Sequence, residues 1–135
     1  MNTKIIKIDS QKIDHEKMQE AGRLIAAGEL VAFPTETVYG LGGDALDPEA
    51  SKKIYAAKGR PSDNPLIVHI ADFEDMYRVG INIPDQAKKL SDAFWPGPLT
   101  MIVEKSEAVP DATTGGMDTV AVRMPNHPIA LELIR

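Results

Sequence analysis

There is no cysteine among the 135 residues. That removes disulfide frameworks, thiolate metal sites and a cysteine nucleophile together, and it fits a reducing compartment. Long apolar runs are missing too. The opening Met1-Asn2-Thr3-Lys4-Ile5-Ile6-Lys7 lacks the apolar core of a secretory signal, and no segment approaches the ~20 apolar residues that a membrane-spanning helix needs. A cytoplasmic protein with no membrane partner is therefore expected. Positive charge is in short supply as well: the net charge is −5, so the overall field does not attract nucleic acid, and any RNA binding would need a local basic pocket. The lysine-bearing phosphate loop G-x-x-x-x-G-K-[ST] does not occur, and there is neither an internal repeat nor a low-complexity segment. No Ser/His/Asp arrangement and no carboxylate pair stands out, which leaves hydrolysis through a covalent nucleophile poorly supported. His15 and His127 offer no metal-binding spacing with His69, and no protein-held metal is expected.

What is present is the composition of an ordinary globular domain, 43% apolar and 26% charged, on a chain long enough for one core and too short for two. Residues 3–8 read as a first strand. Met18, Ala21, Leu24 and Ile25 recur at helical spacing, with Asp14 as N-cap and Gly28 just past the end, so a helix is expected over residues 14–27. A short apolar strand at 30–33 follows, then a polar, glycine-rich loop over 34–42. Asp47-Pro48-Glu49 starts a second helix by the order of cap, proline and early carboxylate, and Gly59 ends it just after Lys58. Residues 66–70 form a compact strand whose Leu66, Val68 and Ile70 share one face. Asp72 caps a short helix to about Arg78, and Pro84 opens another to about Phe94. Trp95-Pro96-Gly97-Pro98 breaks it before a strand at 99–104. Residues 105–118 read as a polar loop, 119–123 as a strand, and a last helix begins at Pro128. Strands and helices interleave throughout, which places the chain in the α/β class with a mostly buried, twisted sheet. The final helix reaches Arg135 with neither a glycine nor a proline stop, the mark of a domain cut before its C-terminal part.

An apolar strand feeding a polar, glycine-rich loop is a common build for a ligand site, and the 30–42 stretch has it. Gly40-Leu41-Gly42-Gly43-Asp44-Ala45 satisfies the loose dinucleotide pattern G-x-G-x-x-A. Six residues separate Gly40 from the strand, however, and the helix starts only at Pro48, so no helix N-terminus points at a pyrophosphate and a Rossmann site is rejected. In Lys58-Gly59-Arg60-Pro61-Ser62-Asp63-Asn64-Pro65 two cations, a hydroxyl and an amide share a proline-stiffened turn. It suits phosphate or carboxylate; equally, Lys58 complements a helix dipole, Arg60 is solvated and Asn64 is a turn residue. His69, alone in an apolar strand, has the ordinary standing of a structural histidine. Arg123 ends a short strand on the face of Thr119 and Ala121. A buried guanidinium needs an anion or several acceptors, and a bound anionic ligand is favoured over a structural carboxylate.

Taken in order, Pro34-Thr35-Glu36-Thr37-Val38-Tyr39-Gly40-Leu41-Gly42, Lys58-Gly59-Arg60, Ser62-Asp63-Asn64-Pro65, Trp95-Pro96-Gly97-Pro98-Leu99-Thr100 and Val122-Arg123-Met124-Pro125 resemble the motifs of the YrdC/TsaC-like threonylcarbamoyl-AMP synthases. The likeness spans nearly the whole chain, and several motifs in order are more specific than any one.

The resemblance implies a YrdC/RibB-like α/β fold, with a twisted mixed sheet flanked by helices around a large concave pocket. It implies a nucleotidyltransferase that joins L-threonine, bicarbonate and ATP into threonylcarbamoyl-AMP with release of pyrophosphate. Magnesium would arrive with ATP. The product would go through a downstream threonylcarbamoyl-transferase complex to adenosine 37 of tRNA. Carried over motif by motif, Thr37, His69 and Arg123 would bind L-threonine, Arg60, Asn64 and Thr119 would bind ATP, and Lys58 with Arg60 would be catalytic. Residues 1–135 would be the N-terminal part of such a domain, lacking the Ser-Ala-Asn motif and strands that complete the nucleotide site, hence weak or inactive alone. A non-catalytic module for tRNA or double-stranded RNA is the alternative, gripping phosphates with Lys52, Lys53, Lys58 and Arg60. The related domain of hydrogenase-maturation proteins belongs to longer, zinc-bearing chains, and a cysteine-free N-terminus argues against it.

Overall fold

A computed structural model describes residues 3–36, 38–59, 61 and 64–135. Helix boundaries follow the capping chemistry of the sequence. In α1 (His15–Ala26) the Asp14 carboxylate accepts the N–H groups of Glu16 and Lys17, and Gly28 leaves the helix at φ +86°. In α2 (Pro48–Lys58) Asp47 caps Glu49 and Gly59 adopts the left-handed conformation. Both ends satisfy amide and carbonyl groups that the helix itself cannot.

Residues 3–8, expected as a strand, are not one. Ile6 and Ile8 turn partly inward and Ile8 packs on a core, while Ile5 stays exposed. The segment is tied to α1 by side chains, Lys17 to the Lys7 carbonyl and Lys4 to Glu20. Branched apolar residues favour an extended segment, but a strand also needs a backbone partner.

β1 (Val31–Phe33) pairs antiparallel with β2 (Gly40–Gly42), so the expected loop contains a strand. The larger sheet runs β3 (Ile67–His69), β6 (Thr119–Arg123), β5 (Thr100–Lys105), β4 (Gly80–Ile81), with β3 and β6 parallel and the other pairs antiparallel. A 3-10 turn (Phe73–Asp75) runs into α3 (Met76–Val79), and α4 (Asp85–Phe94) precedes β5. The 105–118 stretch, expected as loop, holds a helical turn, α5 (Asp111–Thr114), and α6 (Pro128–Ile134) closes the chain. Thr113 is its anchor: buried, it bonds Ser51 of α2 at 2.7 Å and donates to the Ala45 carbonyl.

Two cores result. One face of the larger sheet, carrying Val68, Val103, Val120 and Val122, packs on Met76, Val79, Ala87 and Trp95. Met18 and Ala21 of α1 meet Phe33 of β1 and Ile129, Ala130 and Leu133 of α6. Burying apolar side chains at about 25 cal/mol per Å² drives both. The mixed sheet and flanking helices are the architecture expected from the sequence.

Candidate functional site

Period-two alternation in β6 sends Val120 and Val122 into the core and leaves Thr119, Ala121 and Arg123 on the opposite face. Strand register then builds rows across that open face. Ala121 lies between Ile67 of β3 and Ile102 of β5, and Arg123 lies between His69 of β3 and Thr100 of β5. Ile67 and Ile102 are both exposed, so an apolar row borders a row bearing a cation and an imidazole.

Among the described residues Arg123 is the best-held charge of the site. Its Nη2 pairs with the Glu36 carboxylate, and its Nε donates to the Gly97 carbonyl at 3.3 Å. The other Glu36 oxygen accepts the Asn126 N–H at 2.9 Å. Partial burial works to raise the Glu36 carboxyl, yet its own backbone N–H, Arg123 and Asn126 outweigh this and hold it below the usual carboxylate range. So the partner that the structure gives Arg123 is a carboxylate of the motif loop. Glu36, Asn126 and the Gly97 carbonyl were missed from sequence, being 87, 3 and 26 positions from Arg123.

His69 is half-buried, and its Nδ1 lies 3.1 Å from the Ile67 carbonyl. Burial pushes its imidazole below the ordinary range and the Arg123 charge adds to this, while the Ile67 carbonyl and Glu36 pull the other way. Phe33 approaches its ring edge-on, with centroids 6.0 Å apart and planes at 79°. Phe33 is itself lodged on glycines: a Cβ on Gly42 would lie 2.7 Å from its ring and one on Gly40 3.1 Å. The glycines of the motif loop thus make room for the ring that meets His69.

A cavity of about 540 Å³ opens between β2, β3 and α2, lined among others by Phe33, Ile54, Lys58, Ile67, His69 and Thr113. That volume is ordinary for a small-molecule site. Lys58 reaches it from the last turn of α2. His69 belongs to both the cavity and the Arg123 row. Thr119 sits at the far end of β6 from Arg123, about 13 Å along the strand at 3.3 Å per residue. Asn64 is exposed in a turn closed by its N–H on the Pro61 carbonyl, and its own carbonyl accepts the Tyr55 hydroxyl. Thr37 and Arg60, both expected site residues, lie outside the described residues. Among the described residues no helix is long and apolar enough to cross a membrane.

Comparison with known proteins matches residues 23–135 to the Sua5/YciO/YrdC family model, described as Telomere recombination. The chain is 58% identical over 124 residues to a threonylcarbamoyl-AMP synthase of Pyrococcus abyssi, covering 92% of this chain and 36% of that protein. To the Bacillus subtilis protein of the same name it is 52% identical over 128 residues, covering 94% and 37%. The crystal structure of P. abyssi Sua5 complexed with L-threonine superposes with a TM-score of 0.89 at 58% identity, covering 91% of this chain and 36% of that one. The chain therefore spans little more than a third of the length of these relatives.

Proposed function

The chain belongs to the Sua5/YciO/YrdC family, and from that premise we propose that its site serves the synthesis of threonylcarbamoyl-AMP from L-threonine, bicarbonate and ATP, with release of pyrophosphate. One observation carries the reading: a guanidinium fixed at a strand end beside a half-buried imidazole, next to a cavity that a lysine enters. A relative crystallised with L-threonine supports the amino-acid half.

In this proposal Arg123 takes the threonine carboxylate through guanidinium N–H groups left over from Gly97 and Glu36, and Thr37 and His69 also serve the amino acid. Arg60, Asn64 and Thr119 hold ATP, and Lys58 with Arg60 offsets charge that develops on the departing pyrophosphate. The amine forms a carbamate with carbon from bicarbonate, and a carbamate oxygen attacks the α-phosphorus. Catalysis is then mainly positioning and electrostatics. Magnesium enters with the ATP phosphates. Its ligands would be phosphate oxygens and water. The product is passed on, in a cytoplasmic setting, to a threonylcarbamoyl-transferase complex acting on adenosine 37 of tRNA. Since the relatives carry well over half their length outside the matched region, the 135 residues alone turn over slowly and bind ATP weakly.

The test is pyrophosphate release from ATP with single omissions. Release that depends on both threonine and bicarbonate is expected; release unchanged when either is left out refutes the proposal. Robust turnover by the purified 135-residue chain would refute the statement about its isolated activity.

A further inference from the structure

We propose that His69 is a catalytic proton acceptor, its Nε2 taking a proton from the α-ammonium group of the amino-acid substrate. The inference rests on the amino-acid reading above and adds a chemical step to it.

A carbonyl oxygen only accepts hydrogen bonds. With Nδ1 3.1 Å from the Ile67 carbonyl, the hydrogen of the neutral ring sits on Nδ1, and Nε2 carries a free lone pair. Among the described residues no hydrogen bond reaches Nε2. The ring is steadied at its edge by Phe33, which is lodged on Gly40 and Gly42. Register sets it beside Arg123, where the substrate carboxylate would dock. An α-amino acid held by its carboxylate carries its ammonium group only two bonds further on, within reach of a neighbouring side chain.

Glu36 is the rival acceptor, and the geometry disfavours it. Both its oxygens are engaged, one by Arg123 and the other by the Asn126 N–H, so a proton there would cost a charge-assisted bond. His69 has an acceptor to spare. Among the described residues the charged groups acting on the imidazole are Arg123 from β6 and Glu36 from the loop after β1; Phe33 of β1 contributes an uncharged ring. Burial first, and Arg123 second, keep the imidazole neutral in the resting site. A substrate carboxylate arriving at Arg123 adds negative charge there and so favours the imidazolium.

The step balances. An ammonium nitrogen has no lone pair; transfer of one proton to Nε2 leaves a free amine and an imidazolium, with charge conserved. The amine lone pair then forms the N–C bond to bicarbonate carbon. A C–O bond breaks, and the oxygen leaves as water carrying one hydrogen from nitrogen, giving the carbamate anion. The imidazolium returns its proton to solvent when the product departs.

The test uses ¹⁵N-labelled 135-residue chain and two probes, L-threonine and N-acetyl-L-threonine, which keeps the carboxylate and hydroxyl and removes the ammonium group. With three histidines in the chain, the His69 ring signals are assigned by their loss in His69→Gln. Should that variant misfold, His15→Gln and His127→Gln assign them by elimination. Expected in the free protein is hydrogen on Nδ1 and none on Nε2. Saturating L-threonine at neutral pH should move Nε2 toward its protonated position by clearly more than N-acetyl-L-threonine does, while both probes shift the Arg123 signals. A free protein with hydrogen on Nε2, or an equal Nε2 response to both probes, overturns the role of His69 alone. If neither probe disturbs Arg123 or His69, the amino-acid reading fails and takes this role with it.

Discussion

The lodging of Phe33 against bare glycine backbone can be tested by two alanines of opposite expected sign. At Gly42 an added Cβ would lie 2.7 Å from the Phe33 ring, so the ring must retreat by about 0.7 Å to reach ordinary contact at 3.4 Å. Phe33 is only 8% exposed, and Gly40, His69 and the α1–α6 core lie around it. Forcing such a ring to move costs about 1–3 kcal/mol. Loss of glycine's freedom in the unfolded chain returns about 0.4–1 kcal/mol. The net loss for Gly42→Ala is then about 1–2 kcal/mol, a fall of about 0.5–1 M in the urea midpoint at a slope of about 2 kcal/mol/M. Gly22, in α1, has nothing within 4 Å of its would-be Cβ, so Gly22→Ala gains about 1 kcal/mol and raises the midpoint by about 0.5 M. Urea unfolding followed by circular dichroism reads both. If Gly42→Ala matches or exceeds the wild type while Gly22→Ala rises, Phe33 is not wedged and the account of the motif glycines is wrong.

Thr113→Val strips the buried Ser51 hydroxyl and Ala45 carbonyl of their partner and is expected to cost about 1–3 kcal/mol. Chemical denaturation should also show the Ser51→Ala, Thr113→Val pair costing less than the two singles added. Arg123→Gln leaves the Glu36 carboxylate with only backbone donors, in a pair 14% and 21% exposed. Its cost of about 1–3 kcal/mol falls short of the 3–5 kcal/mol of a fully buried pair, and an L-threonine titration of the variant should show no response. Glu36 and His69 are both held below their ordinary values of 4.5 and 6.5, so the unfolded chain binds more protons than the folded one as pH falls. Their stabilisation is complete above pH 6.5, then lost first through His69 and at lower pH through Glu36. Urea midpoints across pH should follow that order, and His69→Gln should remove the first decline.

Much of this architecture could be read locally. Asp14, Asp47, Gly28 and Gly59 mark helix ends because capping is chemistry between residues two to four apart. The faces of β3 and β6 followed from alternation alone. Local signals failed where pairing decided. Residues 3–8 carry three isoleucines and read as a strand, yet among the described residues they find no strand partner, while Gly40-Leu41-Gly42, poor in strand propensity, becomes β2 because β1 pairs with it and Phe33 needs the space. Thr113 and Thr114 looked like loop residues because their burial depends on Ser51, Ala45 and Met117.

At the site, sequence by itself determined the chemical inventory: Lys58 at a helix end, His69 in a strand, Arg123 on the face of Thr119, and a set of motifs that place the family. Tertiary structure decided which of these meet. Parallel pairing of β3 with β6 brings His69 to Arg123 across 54 residues of chain, and packing of the 34–42 loop supplies Glu36 as the counter-charge. Side-chain chemistry and capping act within a turn or two, so they are written in the local sequence. Register and burial arise only when distant segments share a core, and it is these that turned a list of polar residues into an oriented imidazole beside a paired guanidinium.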